Sequence, residues 1–306
     1  MKQHPNVANE KVPAAGELIY GTAFRFDDTT TLVYKALSLG YRNFDLANWS
    51  KYYNEKGAGV GIRTWCEEDH EKREHRRRQI WVQTKFTPAK FHDADDEQPF
   101  DASKSIPDQI IESATSSIAH LNFDPLQQSS PSDNGRLIKY LDAILLHCPL
   151  EEAKLTLLAC KVLEQLVPEV ARHWGVSNIG LPLLRWVFEH EEIIIKPKVV
   201  QNRFLRSNNY DLEVRKYCSE KDITYQAFGV LKNRELLDNS VIRRISSETS
   251  FSPSSLVLGL LTLRGVSVLD ATTDEQHMKD NIACQAWIFE NVGTSSLRQV
   301  AEGLFG

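Results

Sequence analysis

Short apolar or β-branched runs recur along the chain. Each is followed by a longer segment whose apolar positions fall three and four residues apart. The short runs are ELIYGTA (17–23), NFDLA (43–47), IWVQTKF (80–86), LDAILLHC (141–148), HWGVSN (173–178), KVVQNRF (198–204), ITYQAFGV (223–230) and VSVLDAT (266–272). Their length and composition predict strands. The longer segments predict helices. In IPDQIIESATSSIAHLN, residues Ile110, Ile111, Ala114, Ile118 and Leu121 share one helical face. TTTLVYKALSLG ends on a glycine stop, and SPSSLVLGLLTLRG opens with a Ser-Pro start. KLTLLACKVLEQL, LPLLRWVFEHEE and YDLEVRKYCSEKD follow the same spacing.

Strands that alternate with helices make parallel βαβ units, so the chain is of the α/β class. An open doubly wound sheet and a (β/α)8 barrel both fit. No GxGxxG follows the first strand, as a dinucleotide-binding open sheet requires, and eight units point to a single (β/α)8 TIM barrel over residues 1–306. FHDADDEQPFDASKS (91–105) and DPLQQSSPSDNGR (124–136) interrupt the rhythm. Periodic structure resumes at once on both sides of each, so they read as loops inserted in one domain.

Composition narrows the partners. The 306 residues are 42% hydrophobic and 25% charged, with a net charge of −5. That balance gives no reason to expect nucleic acid or an anionic membrane. The one basic run, KREHRRRQ (72–79), follows CEEDHE and reads as a solvated helix face. No apolar stretch is long enough to span a bilayer, and the N-terminus lacks a signal peptide's apolar core. Five scattered cysteines without CxxC spacing suggest reduced thiols, a cytoplasmic location and no metal site.

A parallel barrel carries its chemistry at the C-terminal ends of its strands, which share one mouth. Asp45 ends the second strand, with Tyr52 and Tyr53 just beyond, and Lys85 and His147 end the third and fourth. Ser177 and Asn178 follow on the fifth, Gln201 on the sixth and Phe228 on the seventh. Taken singly, Asp45 reads as a helix cap or paired acid, a loop tyrosine as a surface residue, Lys85 as a rim lysine and His147 as a core histidine. Together they make an acid–base set. A lysine beside a phenol favours phenolate, an aspartate holds that lysine, and the histidine can orient a carbonyl oxygen.

These residues resemble the aldo-keto reductase family along nearly the whole chain. GYRNFDLA is similar to that family's G-Y-R-x-x-D-T-A, with Leu46 for Thr, and YYNE to its Y-x-N-E. TKF, LLHCP, GVSN, VVQN and a late D-N-I keep the family's order. The LDATT…EQHM…DN ending resembles a fungal branch of it. The resemblance implies a barrel that binds NADP or NAD without a Rossmann fold and passes hydride between nicotinamide and a carbonyl or alcohol carbon. It implies Asp45, Tyr52, Lys85 and His147 as catalytic residues. The loop NWSKYY is two residues longer than the family's spacing, which keeps Tyr53 open as the alternative to Tyr52. Ser177, Asn178 and Gln201 would hold the carboxamide, and Phe228 would supply the stacking face. Gly21, Thr22 and Leu231 would lie along the cofactor, with Trp49 and Tyr53 in the substrate pocket.

The last strand departs from that pattern. Asp270 stands where a phosphate-binding lysine is usual, and His277 roughly where an arginine is. Thr272 and Asn281 would complete that cofactor edge. An aspartate there would repel a 2′-phosphate and suit a ribose hydroxyl, leaving NAD preferred or NADP held through Lys279 or Arg264. The expected partner is a small carbonyl or alcohol substrate, in a pocket that is either more open or lined by the two inserted loops and Trp49. A monomer is the expected state. Two rivals remain at this level: a non-redox lyase, dehydratase or cyclase on the same barrel, and a non-catalytic cofactor-binding subunit.

Overall fold

The computed structural model describes residues 15–93, 96–121, 140–293 and 295–306. The strands are β1 (Leu18–Gly21), β2 (Asn43–Asp45), β3 (Trp81–Phe86), β4 (Leu141–Leu146), β5 (Ala171–Ser177), β6 (Val199–Arg203), β7 (Thr224–Phe228) and β8 (Ser267–Asp270). They close into a barrel in sequence order, every neighbouring pair parallel. All eight C-terminal ends therefore open on one mouth, as the alternating pattern predicts. The inserted loop at 124–136 lies outside the described residues, as do residues 94 and 95 of the first loop.

Six of the surrounding helices follow the expected segments: Thr29–Leu39 (α1), Ile106–His120 (α4), Ala153–Gln165 (α5), Leu181–Glu189 (α6), Leu212–Glu220 (α7) and Pro253–Leu263 (α10). Gly40 stops α1 at φ 117°, where only glycine sits without strain. Ser105 and Ser252 cap α4 and α10 through their side-chain oxygens, each with proline in the first turn. The other helices are Glu55–Glu67 (α2), Arg73–Gln79 (α3), Arg234–Leu237 (α8), Ser240–Thr249 (α9), Glu275–Glu290 (α11) and Ser295–Phe305 (α12). The glycines of EKGAGVG argue against α2 by propensity, yet packing requires them. A Cβ on Gly59 would lie 2.5 Å from His120 O, and one on Gly61 2.6 Å from Thr30 O. Their absence lets α2 press against α4 and α1.

Apolar side chains divide into two cores. The larger fills the space between strands and helices. The smaller, Trp81, Ala143, Leu145 and Val199, fills the barrel interior. Strand parity explains the division: alternate residues face inward, so Trp81, Gln83 and Lys85 of β3 line the interior while Val82 joins the outer core.

The basic run departs from its expectation of a solvated face. Arg77 is buried, and its guanidinium donates to Asp142 Oδ2 at 3.0 Å and Tyr140 O at 2.9 Å. Arg76 lies 4.6 Å over Trp65, and Arg78 alone of these three stays on the surface with Glu74. The pattern misleads because Asp142 is an acid placed inside the bottom of the barrel wall, and it needs a counter-ion there. Among the described residues no helix is long and apolar enough to cross a membrane, no cluster of His, Cys, Asp and Glu could hold a metal, and all five cysteines are free.

Candidate active site

Asp45 closes β2 at 2% exposure, and Lys85 rises beside it from β3 at 1%. Lys85 Nζ lies 2.7 Å from each Asp45 oxygen and 2.7 Å from Leu46 O. Asp45 Oδ1 also accepts from Gln83 at 2.7 Å and Gln201 at 2.8 Å. Gln83 and Gln226 exchange both amide hydrogen bonds, at 2.7 and 2.9 Å, and Gln201 joins them at 3.0 Å. A polar layer therefore spans the barrel beneath the mouth and fixes the ion pair from below. Burial pulls the Lys85 ammonium down from its usual range, and the Asp45 carboxylate opposes that pull.

The two tyrosines diverge. Tyr53 is the one beside the buried pair: Lys85 Nζ lies 5.4 Å from its ring centroid, and the His147 ring is 6.3 Å away. Tyr52 turns to the other side, against Trp49 at 4.6 Å and Phe24 at 4.9 Å, under Lys51. The structure thus brings Tyr53, and not Tyr52, next to the Lys85–Asp45 pair. Counting back from Asn54 misleads because the loop is longer and its turn, with Tyr52 N and Tyr53 N both donating to Trp49 O, rotates the pair. Burial and the nearby Asp45 charge push the Tyr53 hydroxyl far above its usual range. Tyr53 is a protonated acid in the free protein.

His147 follows β4, with Nδ1 2.7 Å from Thr87 Oγ1 and its ring 5.5 Å from Trp49. Burial and the Lys85 charge hold it well below the usual imidazole range, so the ring is neutral. Asn178, in the left-handed region at φ 56°, reaches back to His147 O at 2.9 Å. Ser177 Oγ donates to Gln201 O at 2.7 Å. Ser177, Asn178, Gln201 and Phe228 thus occupy three neighbouring strand ends beside the acid–base set. Their hydroxyl, amide and aromatic faces fit a nicotinamide ring with its carboxamide. Gly21 pairs in register with Asp45, Thr22 is buried and donates to Asp45 O at 2.9 Å, and Leu231 is exposed beyond β7.

The β8 edge differs from its expectation. Asp270 does not face the mouth. It is buried among Tyr41, Asn281 at 2.8 Å and the Thr272 amide at 3.1 Å. Asn281 is likewise buried, taking a 2.7 Å bond from Ser255. Both sit between β8 and the helices, so neither the repulsion of a phosphate by Asp270 nor a contact from Asn281 follows from their positions. Lys279 is tied to Glu275 at 2.7 Å and Arg264 to Glu302 at 3.2 Å. His277 is exposed near the start of α11, its amide donating to Asp274. Thr272 caps Asp274 and accepts from Tyr20.

The first inserted loop does frame the site. Lys51 pairs with Asp93 and Lys56 with Glu97, and Trp49 lies 6.5 Å from Phe91 and 6.1 Å from His92. A cavity of about 420 Å³ beside Tyr53 has Trp49, Lys56, Gln98, Pro99 and His120 in its wall. Gln83, Thr87 and Gln226 escaped sequence reasoning. Strand parity is the signal that would have found them, since each stands two residues from Lys85 or Phe228.

The chain matches the aldo/keto reductase family over residues 16–297. An uncharacterized oxidoreductase of Saccharomyces cerevisiae is 25% identical over 263 residues, covering 86% of this chain and 81% of that one. An NAD(P)H-dependent D-xylose reductase of Aspergillus niger is 24% identical over 304 residues, covering 91% and 87%. The solved aldose reductase of Giardia lamblia superposes with a TM-score of 0.66 at 19% identity, covering 90% of this chain and 89% of its own. With the closed barrel and the family match over nearly its whole length, the chain belongs to the aldo/keto reductase family and is an NAD(P)-dependent oxidoreductase.

Proposed function

We propose that this enzyme reduces the carbonyl of a small polar metabolite, with Tyr53 as the proton donor. The observation that carries the reading is the convergence of a buried Lys85–Asp45 pair, a raised Tyr53 phenol and a neutral His147 at one mouth. The reduced nicotinamide, when bound, supplies the hydride that the carbonyl carbon takes. As the oxygen gains negative charge, the Tyr53 hydroxyl gives up its proton to it. Lys85 then faces the phenolate left behind and stabilises it. His147, held through Nδ1 by Thr87, orients the carbonyl oxygen from Nε2 in the tautomer that carries its proton there.

Two features support a hydroxylated substrate such as an open-chain sugar. Lys56, Gln98 and His120 make the cavity beside Tyr53 polar. A relative of similar length is named for D-xylose reduction. Both cofactors are accepted in this reading. On the β8–α11 edge Asp270 is held by Asn281 and Lys279 by Glu275, so neither of these groups sets a preference between the two cofactors. Titrating tryptophan fluorescence with NADPH and NADH should give saturable quenching, with affinities within about tenfold of each other. Aldoses and short aldehydes should then consume the bound reduced cofactor. Absence of binding, or binding with no turnover of any carbonyl, would contradict the reading.

A further inference from the structure

We infer that Arg203 makes the enzyme discriminate between the oxidised and reduced forms of its cofactor, by placing a cation against the ring on which nicotinamide stacks. The inference rests on the oxidoreductase reading. Arg203 ends β6 and pairs in register with Phe228 of β7, so both side chains leave the sheet on the same side. The guanidinium carbon stands 5.0 Å from the Phe228 ring centroid. Arg203 is exposed, and among the described residues no carboxylate is paired with it. The stem of Arg203 runs beside Gly229 (φ 73°), where a Cβ would come to ordinary contact, 3.9 Å, with Arg203 Cγ.

A phenyl ring attracts a cation through the negative charge over its faces. Phe228 already spends that attraction on Arg203. A nicotinamide stacked on Phe228 carries a positive charge when oxidised and none when reduced. The oxidised ring meets a partner whose favourable potential is cancelled by a nearby guanidinium, and the reduced ring is indifferent to it. Two unit charges within about 8 Å at a half-exposed site repel enough to change an affinity roughly threefold to tenfold. The adenosine and phosphate parts are the same in both forms. Any effect of Arg203 on them cancels in the ratio of the two dissociation constants. The consequence is selective loading of the reduced cofactor and early departure of the oxidised one. It does not speed hydride transfer, since the same repulsion acts on the ring as the hydride leaves.

The test is that ratio, Kd for NADP⁺ over Kd for NADPH, by fluorescence titration of the full-length protein at low salt. Arg203→Gln should lower it about threefold to tenfold, mainly by tightening NADP⁺, while Arg203→Lys should keep most of the wild-type ratio. The wild-type ratio should also shrink toward that of Arg203→Gln at high ionic strength. A ratio unchanged within twofold in Arg203→Gln, with both forms still bound, would overturn this inference alone. Failure of the wild-type protein to bind either form would overturn the oxidoreductase reading and the inference with it.

Discussion

The Asp45 carboxylate is heavily engaged, with Lys85, Gln83 and Gln201 all donating to it. Its removal has a specific consequence. In Asp45→Asn the buried Lys85 loses its counter-ion, and desolvation then lowers its pKa against the Glu55 charge alone. Activity needs the charged ammonium, so it falls as pH rises through that lowered pKa. The basic limb of the kcat profile should move to lower pH, and kcat at pH 7 should drop about a hundredfold or more. An unchanged profile would remove Lys85 from its proposed role. At this scale the sequence was legible where a residue's facing follows from strand parity. Asp45, Lys85 and His147 converge as their strand ends required. The tyrosine pair was not legible, because a turn in a lengthened loop decides which ring points inward. Asp270 was misread for want of the same parity: Val268, two residues earlier, belongs to the outer core, and Asp270 follows it outward.

Elements behave differently, since helices and strands here form wherever apolar spacing is strong. The segments with clear spacing all became helices. Helix α2 was obscured by glycines whose purpose is close approach to its neighbours, which local propensity does not record. Helix α3 was read as solvated, yet Arg77 neutralises Asp142 beneath the barrel wall. Burial raises the Asp142 carboxyl, and Arg77 is the largest opposing influence. Arg77→Met should therefore cost about 3 kcal/mol of stability by urea unfolding, because the buried acid loses its nearer cation and keeps only Arg172 at 3.7 Å. Arg78→Met, one residue along and on the surface, should change stability by less than about 0.5 kcal/mol. Equal effects would mean that the buried pair contributes nothing special.

At the scale of the whole molecule, the eightfold alternation foretold a closed parallel barrel and the ordered motifs foretold its family. The contents of the barrel floor were beyond reach of either. There His173 stacks on Trp81 at 5.7 Å, with Nε2 buried and unpartnered among the described residues. Burial, with Lys198 and Arg172 adding, lowers its pKa to about 4, and His147 is lowered further up the barrel. The sign follows directly. An unfolded histidine binds its proton below about 6.5, and the folded ones stay neutral, so the unfolded state binds more protons and stability is lost as pH is lowered. The loss should begin near pH 6.5 and run to about 4 for His173. His173→Phe should raise the melting temperature relative to wild type more at pH 5 than at pH 7.5. An identical difference at both values would exclude His173 as a source of acid sensitivity.

The central claim is that Tyr53, not Tyr52, gives its proton to the carbonyl. Single-turnover oxidation of bound NADPH by an aldose, followed at 340 nm in the Tyr53→Phe and Tyr52→Phe variants, tests it most directly. Tyr53→Phe should bind cofactor normally and lose at least about a thousandfold in rate, while Tyr52→Phe should stay within about tenfold of wild type. Rapid turnover by Tyr53→Phe, or its loss in Tyr52→Phe with cofactor binding intact, would contradict the account.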